Sequence, residues 1–197
     1  MGVAALACAA LALATGFDGD GDFTPEERAT LARGELVTRA LERRRGQHVL
    51  VGGLSWLRVH APREQLWSVV TDPTSYGHFL PSTQDSRVVA RTDDGVIIQV
   101  RHRYGLVRAS YHAALRFDHD THMVSFSLDT QRPHDIRAGY GFMMLTAVGE
   151  DRTDVTWAAM ADVGADIVAG MLRPLMQQWM LRVPECLRNW TLDHARC

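Results

Sequence analysis

A run of extended segments separated by turn signals fills the middle of the sequence and constrains its fold more than any other feature. The clearest segment, residues 96–104, places Val96, Ile98, Val100 and His102 on one face and mostly polar residues on the other. Such alternation is typical of a strand with one buried face. Further segments span residues 86–91, 109–117, 123–128, 136–148 and 153–162. Strands joined in succession by hairpin turns predict an antiparallel meander.

Helical patterns stand on both sides of this predicted sheet. A β-type stretch within residues 48–61 is followed by a short helix that begins at Pro62, and a second short apolar element occupies residues 76–80. Residues 166–194 carry one apolar stripe at helical spacing, in which Pro174 and Pro184 predict kinks. The sequence therefore predicts an α+β fold in which a curved antiparallel sheet wraps around a long C-terminal helix.

The first 46 residues are interpreted as an appendage to a main domain at residues 47–195. The apolar run at residues 3–14 has the length of a signal-peptide core, and residues 12–14 offer an A-x-A cleavage site before Thr15. No basic residue precedes this run, and a buried apolar helix at residues 1–14 is the alternative. Export to the periplasm or the extracellular space is favoured over a cytoplasmic location.

Residues 15–46 are predicted to form an acidic turn and a helical segment that starts at Pro25. The turn resembles positions 3 to 12 of a calcium-binding EF-hand loop, although Gly16 stands where the first carboxylate is expected. The alternative is a glycine-rich linker that caps the helix. The carboxylates of this calcium candidate are Asp18, Asp20, Asp22 and Glu27.

Composition excludes several kinds of chemistry. The formal net charge is −2 and all 21 basic residues are Arg, so neither a nucleic-acid surface nor lysine chemistry is expected. No G-x-S-x-G motif or phosphate-binding glycine loop is present, and no cofactor is predicted. The three cysteines have no zinc spacing. Cys186 and Cys197 could pair only if the helix broke between them, and they are interpreted as free thiols.

Residues 61–89 carry a more specific pattern than the rest of the chain. They resemble the opening of the coenzyme Q-binding START domains and their polyketide cyclase/dehydrase relatives, in the START-like (SRPBCC, Bet v 1-like) superfamily. The resemblance implies a helix-grip fold over about residues 47–195. The matching residues are Trp67, Val70, Asp72, Tyr76, Phe79, Leu80, Pro81, Ser86 and Val88.

A strongly curved sheet and a helix leave space between them, so the fold implied by the resemblance encloses a cavity. Aromatic and methionine side chains on the predicted inward faces suit an apolar ligand with a few polar anchors. An ordinary packed core is the alternative for each of them. The candidate ligand-binding residues are Tyr76, Phe79, His102, Tyr104, Tyr111, Tyr140, Phe142, Trp157, Met171, Leu175, Met176 and Trp179.

His102 is the most informative single position, because alternation directs it inward. It is either a core histidine bonded to a tyrosine, or a ligand anchor or acid–base group. The first hypothesis for function is a non-enzymatic carrier of a small hydrophobic molecule (lipid, sterol, quinone or polyketide-like) with transient membrane contact. The second is an aromatase/cyclase that uses His102. A third, a ribosome-associating toxin-type protein, is disfavoured by the acidic charge balance.

Overall fold

Eight strands form one antiparallel sheet in the order β1-β2-β8-β7-β6-β5-β4-β3. The computed structural model describes residues 22–104, 107–164 and 173–197, so the apolar run predicted as a signal peptide lies outside the described residues. Among the described residues, no helix is both long and apolar enough to cross a membrane. The strands are β1 (Val37–Arg45), β2 (His48–Val59), β3 (Thr83–Thr92), β4 (Gly95–Tyr104), β5 (Val107–Asp118), β6 (Met123–Leu128), β7 (Ala138–Ala147) and β8 (Thr153–Asp162).

The described helices lie before the sheet, between β2 and β3, and after β8. They are α1 (Pro25–Ala32), α2 (Arg63–Val70), a 3-10 turn (Pro73–Ser75), α3 (Tyr76–Phe79), α4 (Arg173–Leu181) and α5 (Val183–Asp193). Arg182 separates α4 from α5, two residues before Pro184, so the structure has an interruption where the sequence predicts a kink in one long helix. The predicted α+β helix-grip architecture is confirmed.

The N-terminal segment departs from the prediction, because residues 37–45 form strand β1 rather than a continuation of the helix. Gly46 and Gln47 join β1 to β2 in a two-residue turn. The burial of β1 alternates with period two, and Val37 and Leu41 fit this period as well as a helical one. The helical prediction for this stretch is therefore wrong, and the sheet begins ten residues before the predicted boundary at residue 47.

The sheet has two packed faces, which we call the inner and the outer face. The inner face packs against α2, α3 and α5, and its cluster includes Leu57, Ile98 and Leu115. The outer face carries a second cluster to which α1 contributes Leu31. Residues 52 and 53 of β2 must be glycine, because a Cβ there would lie 1.9 and 2.0 Å from carbonyl oxygens of neighbouring strands.

The C-terminal tail folds back and pairs the two cysteines that were predicted to be free. Helix α5 ends at Asp193, and His194 takes a left-handed conformation with φ of 51°. This turn brings the Cα atoms of Cys186 and Cys197 within 5.3 Å, and the two residues form a disulfide. The free-thiol interpretation is wrong because the helix breaks between them, which is the condition that pairing required.

Candidate ligand-binding cavity

A cavity of about 230 Å³ lies between the inner face of the sheet and the helices α3, α4 and α5. Its wall is almost entirely apolar. Eight of the predicted site residues contribute to the wall: Tyr76, Phe79, His102, Tyr111, Tyr140, Trp157, Met176 and Trp179. The fold thus brings together side chains that are separated by about a hundred residues in the sequence.

Small residues on the inner face create the empty volume. Ala113 on β5 and Ala159 on β8 line the cavity where larger side chains would fill it, and Gly139 does the same on β7. These three residues are absent from the predicted site, because that prediction favoured aromatic and methionine side chains. The sequence could have indicated Ala113 and Ala159, because the alternation of their strands directs both side chains to the inner face.

Phe142 is the clearest correction to the predicted site, because it lies on the outer face. Phe142 is paired with Ala158 of β8, and both belong to the outer cluster. The neighbouring Met143 is paired with Trp157 and lines the cavity instead. Strand β7 is apolar at nearly every position, so its alternation could not distinguish the two faces. Tyr140 packs against the outer cluster and also contributes to the cavity wall.

The remaining predicted ligand contacts fall outside the wall or outside the described residues. Leu175 is half-buried on α4 and does not line the cavity. The side chain of Tyr104 and the whole of Met171 lie outside the described residues.

Two residues of the calcium candidate, Asp18 and Asp20, lie outside the described residues, and the other two are Asp22 and Glu27. Glu27 caps helix α1: its carboxylate accepts a hydrogen bond from the Thr24 N–H at 2.8 Å and pairs with Arg39 at 2.8 Å. Asp22 places its carbonyl oxygen 3.3 Å from the same guanidinium. In the described part of the chain, no group of three or more His, Cys, Asp or Glu residues is arranged to hold a metal ion.

A polar cluster interrupts the apolar wall at His102. Its Nδ1 lies 3.3 Å from the carbonyl oxygen of Pro81 and 3.2 Å from Oγ1 of Thr83. A carbonyl only accepts, so the neutral ring carries its hydrogen on Nδ1 and leaves Nε2 as an acceptor. The Tyr111 hydroxyl, 2.9 Å from Nε2, is then the donor.

Burial keeps both members of this pair uncharged. Loss of solvation lowers the pKa of His102 below its ordinary value, because removing water disfavours the imidazolium form. The same cause raises the pKa of Tyr111 to about 12. The pair is therefore a neutral donor–acceptor unit in an apolar wall, suited to orienting one polar group of a ligand.

Trp157 links the sheet to the helical side of the cavity. Its indole N–H donates to the carbonyl oxygen of Met180 at 2.8 Å. In an unbroken helix that carbonyl would accept from the residue four positions later, which is Pro184 and has no N–H. The break between α4 and α5 therefore frees an acceptor that holds Trp157 in the wall.

Tyr76 is a structural part of the wall rather than a polar anchor. Its hydroxyl donates to the Val70 carbonyl oxygen at 2.7 Å, and burial raises its pKa above the ordinary value. Its ring centroid lies 5.0 Å from that of Phe79. The hydrogen bond to Val70 fixes α3 against the end of α2, and His102 and Tyr111 remain as the main hydrogen-bonded polar pair of the cavity wall.

Comparison with known proteins agrees with this architecture. A family model described as "Polyketide cyclase / dehydrase and lipid transport" matches residues 59–187. No curated protein resembles the sequence closely enough to count as a match.

Solved structures with the same fold are distant in sequence. A STAR-related lipid transfer protein from Xanthomonas axonopodis is 12% identical, with a TM-score of 0.59 over 77% of this chain and 98% of that chain. An aromatase/cyclase from Streptomyces sp. R1128 is also 12% identical, with a TM-score of 0.59 over 80% and 93%. A START superfamily protein from Mycobacterium smegmatis is 14% identical, with a TM-score of 0.60 over 74% and 99%. At such identities the likeness concerns the fold.

Proposed function

Because the chain belongs to the polyketide cyclase/dehydrase and lipid transport family, we propose that it binds and carries a small hydrophobic molecule in the cavity. The ligand classes are lipids, sterols, quinones and polyketide-like compounds. The observation that carries the proposal is the cavity of about 230 Å³, whose wall is almost entirely apolar and includes the hydrogen-bonded His102–Tyr111 pair.

The size and chemistry of the cavity support apolar burial as the driving force. An apolar cavity of roughly 150 Å³ takes up a ligand the size of benzene, so this one accommodates a larger ring system or a short acyl chain. Each 100 Å² of apolar ligand surface removed from water contributes about 2.5 kcal/mol before ordering costs. The Tyr111 hydroxyl, whose hydrogen is donated to His102, orients one polar group of the ligand by accepting a hydrogen bond from it.

The test is whether the purified protein holds an apolar molecule in this cavity. Native mass spectrometry is expected to detect a co-purifying ligand, and a fluorescent apolar probe is expected to be displaced by lipid extracts. Ala113→Leu fills the cavity and should abolish probe binding, whereas Ala114→Leu, the adjacent residue on the opposite face of β5, should not. An apo mass together with no probe binding by the wild-type protein would refute the carrier proposal.

A second function, an aromatase/cyclase-type enzyme, is favoured by one observation. The cavity contains a histidine with an adjacent phenol, which is a pair able to move a proton within an enclosed apolar site. His102→Phe separates the two functions: a carrier retains probe binding, whereas a cyclase retains binding but loses turnover of a polyketide-like substrate. Loss of probe binding in a folded His102→Phe protein would contradict apolar burial as the main source of affinity.

We further propose that the protein is exported and contacts membranes only transiently. The apolar run at residues 3–14 supports export, and so does the disulfide, because disulfides persist mainly in oxidising compartments. The expected result is a periplasmic or secreted protein whose first residue is Thr15. A cytoplasmic protein with Met1 retained and two reduced thiols would contradict it.

A further inference from the structure

A second, smaller cleft lies at the β1–β2 hairpin, away from the apolar cavity. It has a volume of about 160 Å³ and is lined by Gln47, His48 and Arg137. All three side chains carry hydrogen-bond donors, and two of them can carry a positive charge. This composition is the reverse of the apolar wall on the inner face.

The sheet register places His48 at the outer face beside a concentration of arginines. His48 is paired with Arg45 across the two-residue turn, so the two side chains share a face. Residues 43–48 read RRRGQH and contain no acidic residue. By the alternation of β1, Arg43 and Arg45 share this face with His48 and Arg44 lies on the opposite face, so the cleft lies among basic side chains beside one carboxylate, that of Asp162.

A buried carboxylate fixes the orientation of His48. Asp162 Oδ2 lies 3.0 Å from His48 Nδ1, and the side chains of Asp162 and His48 are 6% and 34% exposed. Asp162 Oδ1 accepts from the Gly164 N–H at 2.9 Å, which holds the carboxylate in place. The other ring nitrogen of His48, Nε2, has no hydrogen-bond partner among the described residues. In its protonated form, His48 donates from Nδ1 to Asp162 and from Nε2 to a ligand.

Arg137 supplies the fixed charge of the cleft. Its backbone N–H donates to the Asp162 carbonyl oxygen at 2.7 Å, which anchors it next to the carboxylate that orients His48. Its side chain is exposed, and no carboxylate pairs with its guanidinium within the described residues. The cleft is thus lined by an arginine, a histidine and a primary amide, and these donor groups suit the oxygens of a phosphate group.

We propose that Gln47, His48 and Arg137 form a binding site for a phosphate-type oxyanion on the outer face of the sheet, with Asp162 as the residue that positions His48. The phosphate group belongs either to a free phosphate compound or to the headgroup of an anionic phospholipid. The site is separate from the apolar cavity, so its existence does not depend on the proposed carrier function.

The test uses inorganic phosphate and lipid vesicles in parallel on the full chain. Calorimetric titration with inorganic phosphate is expected to show saturable binding that Arg137→Gln weakens roughly ten- to a hundredfold, the loss expected for one charge-assisted contact. The matched control is Arg91→Gln, an exposed arginine on β3, which should bind phosphate as the wild type does. Equal melting temperatures of both variants show that the fold is intact.

The vesicle arm distinguishes the two sources of phosphate. A headgroup site is supported if the protein co-sediments with vesicles of phosphatidylglycerol but not with vesicles of phosphatidylcholine. This binding should be lost in Arg137→Gln and retained in Arg91→Gln. Saturable binding of free phosphate without vesicle binding supports a soluble phosphate ligand. No binding in either arm, or equal losses in the two arginine variants, overturns the proposal because only general charge attraction would then remain.

The role of Asp162 has its own readout. Asp162→Asn is expected to weaken phosphate binding and to change the ¹⁵N chemical shift of His48 Nδ1, because the charged acceptor at that nitrogen is lost. A change in stability without a change in that shift would show that Asp162 supports the fold but does not position His48.

Discussion

The two faces of the sheet are built from alternating residues of the same strands, yet they are filled in different ways. On the outer face, Leu54 and Met160 are each 1% exposed, and Phe23 lies with its ring centroid 5.1 Å from that of Trp56. The inner face retains a cavity of about 230 Å³. The inner face also carries a large buried cluster, which includes Leu57 and Leu115, so the difference is local: the cavity is a space left within an otherwise packed face.

The covers of the two faces are attached differently as well. Helix α1 covers the outer face and is joined to the sheet by the ion pair between Glu27, which also belongs to the helix cap, and Arg39 of β1. The Arg39 guanidinium also lies 5.1 Å from the centre of the Trp56 ring. Helix α4 is fixed to the sheet by Gln177, whose amide donates to carbonyl oxygens of β1 and β2 at 3.0 and 2.6 Å. The disulfide joins helix α5 to the C-terminal tail, and the Cys197 N–H donates to the carbonyl oxygen of His78 in α3 at 3.3 Å. Helices α4 and α5, which cover the cavity, are therefore held by bonds that do not fill the cavity.

The largest effect is expected from truncating a residue of the tightly packed face. Leu54→Ala should lower the free energy of unfolding by about 3–5 kcal/mol, because it opens a new void in a filled cluster. Leu128→Ala borders an existing cavity and is half-buried, so it should cost only about 1–2 kcal/mol. Urea denaturation of both variants measures the difference. Equal losses would contradict the contrast between the two faces.

The next effect is expected at the cover of the inner face. Cys197→Ser removes a disulfide that closes a loop of 11 residues, which should lower the free energy of unfolding by about 2–3 kcal/mol in the chain-entropy model. Reductant should lower the wild-type stability by the same amount and leave the variant unchanged. A wild-type protein insensitive to reductant would show that the bond is not formed in solution.

Most of the fold could be predicted from the sequence because its strands obey a clean period of two. Strands β3 to β6 and β8 lie within a few residues of the predicted segments, and the turn at Asp93 and Asp94 stands between β3 and β4. Strand β1 could not be predicted, because Val37 and Leu41 satisfy both helical and strand spacing. Its strand identity depends on pairing with β2, which is a tertiary contact.

The candidate site was predictable where strands alternate and unpredictable where they do not. His102 and Tyr111 lie on neighbouring strands with clear polar faces, and alternation directs both inward. They are diagonal in the register, since His102 is paired with Ala109 and Tyr111 with Val100, and the structure brings Nε2 of His102 within 2.9 Å of the Tyr111 hydroxyl. Phe142 lies on a strand that is apolar on both faces, so only the register with Ala158 assigns it outward. The disulfide depends on the left-handed turn at His194, which no local pattern signals.

Lowering the pH should affect the two faces of the sheet in different pH ranges, and the inner face should respond at the higher pH. Because burial lowers the pKa of His102 in the folded protein, the unfolded chain binds more protons as the pH falls below about 6.5. Stability should therefore decrease from pH 7 towards pH 5, and His102→Gln should reduce that decrease. Chemical denaturation at several pH values measures it. His78 also has a pKa lowered by burial, so some dependence remains in the variant.

The smallest effect is expected on the outer face, at lower pH. The Arg39 guanidinium and the Thr24 N–H lower the pKa of Glu27 from 4.5 to about 2. The attachment of α1 is therefore complete above pH 4.5 and is lost as the pH falls towards 2, the opposite end of the acid range from His102. Trp56, which contacts Phe23 and Arg39, should report this loss as a change in fluorescence. In Glu27→Gln the change should already be present at neutral pH and should not titrate. A fluorescence change centred near pH 6 in the wild type would instead couple the outer cover to the inner face.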